Sequence, residues 1–299
     1  MVSSQIIMCK ENKVMFISMV VNTVLALVKV FIGIIGGSYA LVADGMHSFS
    51  DLATDVFAII GNILSHKPAD EKHPFGHGKL EYLTSLGIGI IILIVGFSII
   101  YNSFNSEIVI PSVLVIIVTV FTILAKFMLS SYVTKKGYEY NQSVLIASGK
   151  ESSADVISSI VVLFSSILIQ FSNKISYLKY ADLVATIIVG LFIIKVGFDV
   201  LKENISTIIG EQETNDEILD KINEIIKTES RILTIDKINL IKYGSYFKIV
   251  GEVSMDEKLT LRECHDVIER IENKLMNFDE RNQYITIHVN PYVEKETSK

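Results

Sequence analysis

The chain has 299 residues, 50% of them hydrophobic, a mean hydropathy of +0.46 and a formal net charge of -6, a balance too apolar for a soluble protein and expected of a membrane protein. The lack of a basic block argues against nucleic acid as a partner. Two cysteines far apart, Cys9 and Cys264, exclude a disulfide framework and any CxxC redox or zinc motif.

The first apolar run is of full span length, with no small-residue cleavage site after it, so it is expected to be a retained span rather than a leader. Six stretches are long enough to cross a bilayer, roughly 14–36, 38–65, 80–101, 108–133, 143–171 and 180–202. All are expected to be helices, because backbone polar groups in lipid must find partners within their own segment. Lysines mark the sides. The short loops on one side carry Lys10, Lys13, Lys67, Lys72, Lys79, Lys135, Lys136 and Lys202, and those on the other only Lys174 and Lys179, which puts both termini in the cytoplasm. A transmembrane domain over 1–208 and a cytoplasmic C-terminal domain over 209–299 follow.

A charge at mid-bilayer costs about 2.5–3.5 kcal/mol, so ionisable residues inside a span need a function or a partner. The second span, SYALVADGMHSFSDLATDVFAIIG, sets Asp44, His47, Asp51 and Asp55 at i, i+3, i+7 and i+11, one stripe of one helix face. The fifth span carries Glu151 and Asp155 four apart. Two helices that each present ligands one turn apart can converge on one ion, His47 and Asp51 from one side and Glu151 and Asp155 from the other. Imidazole with carboxylates suits zinc and other first-row divalent ions and disfavours soft Cu(I). The other reading is buried polar pairs that hold the bundle together. Asp44 is a candidate accessory residue, and Asp55 a vestibule or helix-contact residue.

The loop after the second span, HKPADEKHPFGHGKLEYL, holds Asp70, His73 and His77, a candidate second metal site, with Pro74 and Gly76 allowing a tight backbone path. A solvated charged loop is the alternative. His66 has no spaced partner and is assigned to the interface.

Beyond the sixth span, residues 214–228 place Ile218, Ile222, Ile225 and Ile226 on one helical face. Two alternating strands at 231–242 and 245–255 flank a turn near Gly244, a second amphipathic helix covers 260–277, and YITIHV at 284–289 is a third strand. This αββαβ order predicts a small open-faced sandwich, marginal alone and therefore expected to pair with a second copy. His265 and His288 are its weak metal candidates, with Asp236 and Glu252 as oxygen partners. No nucleophile with its base, phosphate-cradling Gly loop or HExxH helix is present, so neither an enzyme nor ATP-driven transport is expected.

The stretches SYALVADGMHSFSDL, PADEKHPFGHGKLEYL and ESSADVISS resemble the cation diffusion facilitator family, and the resemblance covers the whole chain. It implies six transmembrane helices and a metallochaperone-like domain in a homodimer embedded in membrane lipid, exchanging zinc, manganese, iron, cobalt or cadmium for protons and moving the metal out of the cytoplasm by alternating access. Carried over position by position, the transport site is His47, Asp51, Glu151 and Asp155, the loop site Asp70, His73 and His77, and the cytoplasmic-domain site His265 and His288, where Asn290 replaces a carboxylate. Zinc-selective members usually have His where this chain has Glu151. The resemblance puts zinc first as substrate and candidate regulator, with manganese or iron next, and the hard Glu151 carboxylate moves preference toward the latter two. His47, of a residue type that titrates near pH 6.5, is the expected proton-coupling group. A bacterial inner or plasma membrane is the expected location, and a metal-binding regulatory or scaffolding membrane protein without transport is the alternative.

Overall fold

The computed structural model describes residues 2–105, 109–140 and 143–292. The elements run α1 (Val2–Gly36), α2 (Tyr39–Ser65), α3 (Leu80–Asn105), α4 (Val113–Tyr140), α5 (Ser143–Ile169), a 3-10 turn (Ser176–Tyr180), α6 (Ala181–Ile209), α7 (Asp216–Lys227), β1 (Ile232–Tyr243), β2 (Tyr246–Met255), α8 (Leu261–Phe278) and β3 (Asn282–Pro291). They fall into two compact units, 1–56 with 88–199, and 57–87 with 200–299.

Among the described residues, five helices are long and apolar enough to cross a membrane, over Lys13–Gly36, Leu80–Asn105, Val113–Tyr140, Ser148–Ile169 and Ser176–Ile209. They leave large apolar side chains such as Phe31, Ile94, Phe121 and Phe164 on the outside, as lipid-facing helices do. Helix α2 is just as long, but Asp44, Asp51 and Asp55 lower its hydropathy. The fourth and sixth helices run on to Tyr140 and Ile209, past the expected 133 and 202, because apolar content marks only the lipid-length part of a helix. Pro111 holds back the start of α4, expected at 108, to Val113.

Helix α1 ends at Gly36 and is closed by Gly37, whose φ of +75° lies in the left-handed region open to glycine. The N-terminus of α2 is then capped from a distance. The Asp182 carboxylate on α6 accepts from Ser38 Oγ at 2.6 Å and from the backbone N–H of Tyr39 and Ala40 at 2.9 and 3.3 Å, while Ser38 Oγ accepts from Leu41 N at 3.1 Å. This fixes where α2, the helix richest in polar side chains, begins.

In the second unit the αββαβ order forms as expected. The sheet order is β1-β2-β3, with β1 and β2 antiparallel about Gly244 and β2 and β3 parallel, α8 being the crossover. Ile222 and Ile226 of α7 and Val267, Ile271 and Leu275 of α8 pack on Leu240, Phe247, Ile249, Val253 and Ile287 of the sheet. Both helices therefore cover one face. A capping box joins Thr260 and Glu263 at the start of α8.

Candidate metal centre

Within the helical unit, α2 carries His47 and Asp51 one turn apart, and α5 carries Asp155. His47 Nδ1 lies 3.9 Å from Asp51 Oδ1, and His47 Nε2 lies 3.7 Å from Asp155 Oδ1. One ligand atom from each of the three residues lies within 4.8 Å of the others, a spacing that a single ion can close. Their side chains are 11%, 19% and 9% exposed, and His47 Nδ1 has no hydrogen-bond partner among the described residues. A largely buried imidazole nitrogen without a hydrogen bond is costly unless something binds there. A cavity of about 380 Å³ opens onto the cluster and is walled on its other side by Phe192, Lys195 and Asp199 of α6. Glu151 belongs to α5 one turn before Asp155, and its side chain lies outside the described residues.

Two groups at this centre were missed by the sequence reading. Lys126 of α4 puts its ammonium on Asp155 Oδ2, and Lys29 of α1 sits 2.8 Å from Asp44 Oδ2, both lysines being buried. The signal was available, since each lysine interrupts an otherwise apolar span and needs a counter-charge there. Asp44 is fully enclosed. It also accepts from Ser158 Oγ at 2.6 Å and Ser159 Oγ at 2.8 Å, and Lys29 donates to Ser159 Oγ at 2.9 Å. The carboxylate is thereby committed to joining α1, α2 and α5 and leaves the metal cluster to His47, Asp51 and Asp155. Asp55 is exposed.

The second unit brings Asp70, His73 and His77 together at the surface. His73 Nδ1 is 3.0 Å and His77 Nε2 3.4 Å from the Asp70 carboxylate, and the two imidazole centroids are 4.5 Å apart. The backbone N–H groups of His73 and Lys72 donate to Asp70 Oδ1 at 2.6 and 2.9 Å. The His73 N–H, with lesser help from the His73 side chain and the Lys72 N–H, holds the Asp70 carboxyl below the usual aspartate value and keeps it an acceptor. His77 Nδ1 lies 3.1 Å from Pro68 O, a carbonyl that can only accept, and with Nδ1 as the donor Nε2 is the nitrogen available to a metal ion beside Asp70. These three atoms also fall within 4.8 Å of one another.

The loop is held from behind by the sheet. Tyr246 OH donates to Phe75 O and accepts from Gly78 N at 3.1 Å, Tyr82 OH accepts from Gly244 N at 2.7 Å, and the Phe75 ring meets Tyr284 edge-on with Lys248 Nζ 3.7 Å from its centroid. His66 is apart and exposed, its Nδ1 2.7 Å from Asn62 O.

His265 and His288 are not brought together. Strand alternation turns Ile287 into the core beneath α8 and His288 to the uncovered face, beside Glu252 in register, whereas His265 lies on the exposed side of α8. Asp236 accepts from Thr234, Ser254 and Asn290 at 2.9, 2.7 and 3.2 Å. The expected pair is therefore split across the two sides of the sheet.

Residues 15–209 match the family model of the cation efflux transmembrane domain, and residues 214–292 that of the cation efflux protein cytoplasmic domain. The chain is 31% identical over 292 residues to the manganese efflux system protein MneP of Bacillus subtilis (strain 168), covering 95% of this chain and 97% of that one. It is 26% identical over 285 residues to the manganese efflux system protein MneS of the same organism, covering 93% and 95%. It is also 26% identical over 249 residues to the magnetosome protein MamB of Magnetospira sp. (strain QH-2), covering 82% and 83%.

Proposed function

On the premise that this chain belongs to the cation diffusion facilitator family, we propose that it exports a divalent metal ion, manganese first, from the cytoplasm in exchange for protons. The family moves metal cations and is not a family of enzymes, so the metal is cargo. The observation that carries this reading is the convergence of His47, Asp51 and Asp155 at 4.8 Å or less inside a bundle of membrane helices. Carboxylates with one imidazole form a hard ligand set open to manganese, iron(II), cobalt and zinc. Two relatives aligned over nearly their whole length carry manganese efflux in their names, which moves manganese ahead of zinc in the order.

Protons enter through the ligands. Imidazole and carboxylate must be deprotonated to hold a metal, so protons and metal compete for the same atoms, and a protonated His47 releases the ion. Alternating access of the cavity to the two sides of the membrane turns that competition into exchange. Glu151, by its position in sequence, completes the transport set, and Asp70, His73 and His77 bind a second ion that is retained. The transport domain is taken as residues 1–208, and the C-terminal domain, 209–299, joins two copies, in keeping with its match to the family's cytoplasmic domain. The lysine distribution supports a multi-pass protein with both termini inside, and the bacterial source of the manganese efflux relatives supports a bacterial cell membrane as its location.

The test is metal uptake and proton counterflow in sealed proteoliposomes with manganese, zinc, iron(II) and cobalt, for the intact protein and for Asp155→Ala. Saturable flux with one preferred ion, responsive to a pH gradient and lost in the variant, is expected. Metal binding at His47 and Asp51 without flux of any ion would leave a sensor or scaffold and overturn the transport reading.

A further inference from the structure

Lys126 lies midway along α4, its side chain only 4% exposed, with its ammonium on one oxygen of Asp155 while the other oxygen faces His47 Nε2 at 3.7 Å. A buried lysine in a membrane helix demands a counter-charge, and this one has taken a carboxylate that the metal needs. Another buried lysine of the bundle, Lys29, is used differently. Lys29 and Asp44 form a pair closed by two serine hydroxyls and lie outside the metal cluster, whereas Asp155 belongs to it.

Resting on the transport-site reading above, we propose that Lys126 is a tethered competitor for the transported ion, holding Asp155 between loads, yielding it to a divalent cation and reclaiming it on release. The ammonium is a compact point charge on a flexible four-carbon stem, so it can swing off the carboxylate while α4 stays in place. A sodium or potassium ion that displaced it would exchange one unit of charge for another and gain nothing, while a divalent ion brings twice the charge to the same oxygen. Lys126 therefore sets a threshold that monovalent cations do not cross. Its return to Asp155 also spares the emptied cluster the repulsion of Asp51 and Asp155 with no cation between them.

Manganese binding is to be measured on the purified full chain by calorimetry, in sodium and in choline buffers, for the intact protein, Lys126→Met, Lys126→Arg and Asp155→Ala. Lys126→Met is expected to bind manganese about tenfold tighter or more in choline and to lose part of that gain to sodium, because the cluster has regained a full negative charge. In vesicles it should half-saturate at lower manganese with a reduced maximal rate, and Lys126→Arg should keep the insensitivity to sodium. A folded Lys126→Met protein that binds manganese with unchanged or weaker affinity overturns the proposal. Where that variant does not fold, the structure of the intact protein with manganese decides. Departure of Lys126 Nζ from Asp155 Oδ2 supports the competitor, and an unchanged contact beside a bound ion removes it. Failure of the intact protein to bind manganese more tightly than Asp155→Ala would instead bring down the transport-site reading, and this inference with it.

Discussion

Gly78 and Gly244 meet backbone to backbone. A Cβ on Gly78 would lie 2.0 Å from the carbonyl oxygen of Tyr243, and one on Gly244, whose φ is +72°, would lie 2.2 Å from that of Gly78. No side chain fits at either position. The loop carrying Asp70, His73 and His77 thus rests on the β1–β2 hairpin through bare peptide groups.

Gly78→Ala should force the loop off the hairpin and destabilise the protein by about 1–3 kcal/mol, the usual cost of overpacking against an unyielding surface. The measurement is thermal unfolding of the purified protein in detergent. A melting temperature equal to that of the intact chain would contradict the contact.

Lys29→Met should cost about 3–5 kcal/mol, because Asp44 would remain buried and charged with only the Ser158 and Ser159 hydroxyls. The double variant Lys29→Met with Asp44→Leu, which removes both charges, should recover most of that loss. Unfolding of the three proteins checks the sign, and a double variant worse than the single would argue against a closed pair.

The stripe on α2 and the paired acid on α5 could be found from spacing alone, since an i, i+4 pattern of ionisable residues inside an apolar run has few structural explanations. What spacing could not divide was labour within the stripe. Asp44 lies one turn from His47 and was an accessory candidate, yet its partner Lys29 is in another helix, and helix-to-helix pairing is not encoded in local sequence. Lys126 likewise stands out as a charge in an apolar run, but that Asp155 is its partner depends on the same helix-to-helix pairing. The C-terminal fold was legible because both of its periodicities, 3.6 and 2, are clean. His288 shows the limit of such reading: alternation tells which residues share its face, but the side that α8 covers is set by the crossover.

His73→Ala and His77→Ala should each weaken metal binding at the loop by at least about tenfold, through loss of a nitrogen ligand, while leaving vesicle flux measurable. Metal analysis after dialysis should find one equivalent fewer per chain. Retention of the full complement in both variants would remove the loop site.

Acid should weaken the C-terminal domain through Glu229. Hydrogen bonds first from Arg270 and then from Lys274 hold its carboxyl down to about 2, against an ordinary value of 4.5. A carboxyl depressed in the folded state contributes stability that is fully present above 4.5 and is lost as pH falls toward 2. Glu229→Gln should therefore lower the melting temperature at pH 7 and flatten its decline between pH 4.5 and 2. A parallel decline in both proteins would mean that other groups govern the acid limb.

The polar face of α2 has a consequence for how the protein is made. Three aspartates in one segment, each costing about 2.5–3.5 kcal/mol at the bilayer centre, weigh heavily against that helix entering lipid alone. Its first aspartate already has a partner in the helix synthesised just before it, since Lys29 of α1 closes on Asp44. The two are joined by only Gly37 and Ser38. During synthesis α1 and α2 are thus expected to leave the insertion machinery together as a hairpin, with Lys29 and Asp44 neutralising each other before either meets hydrocarbon.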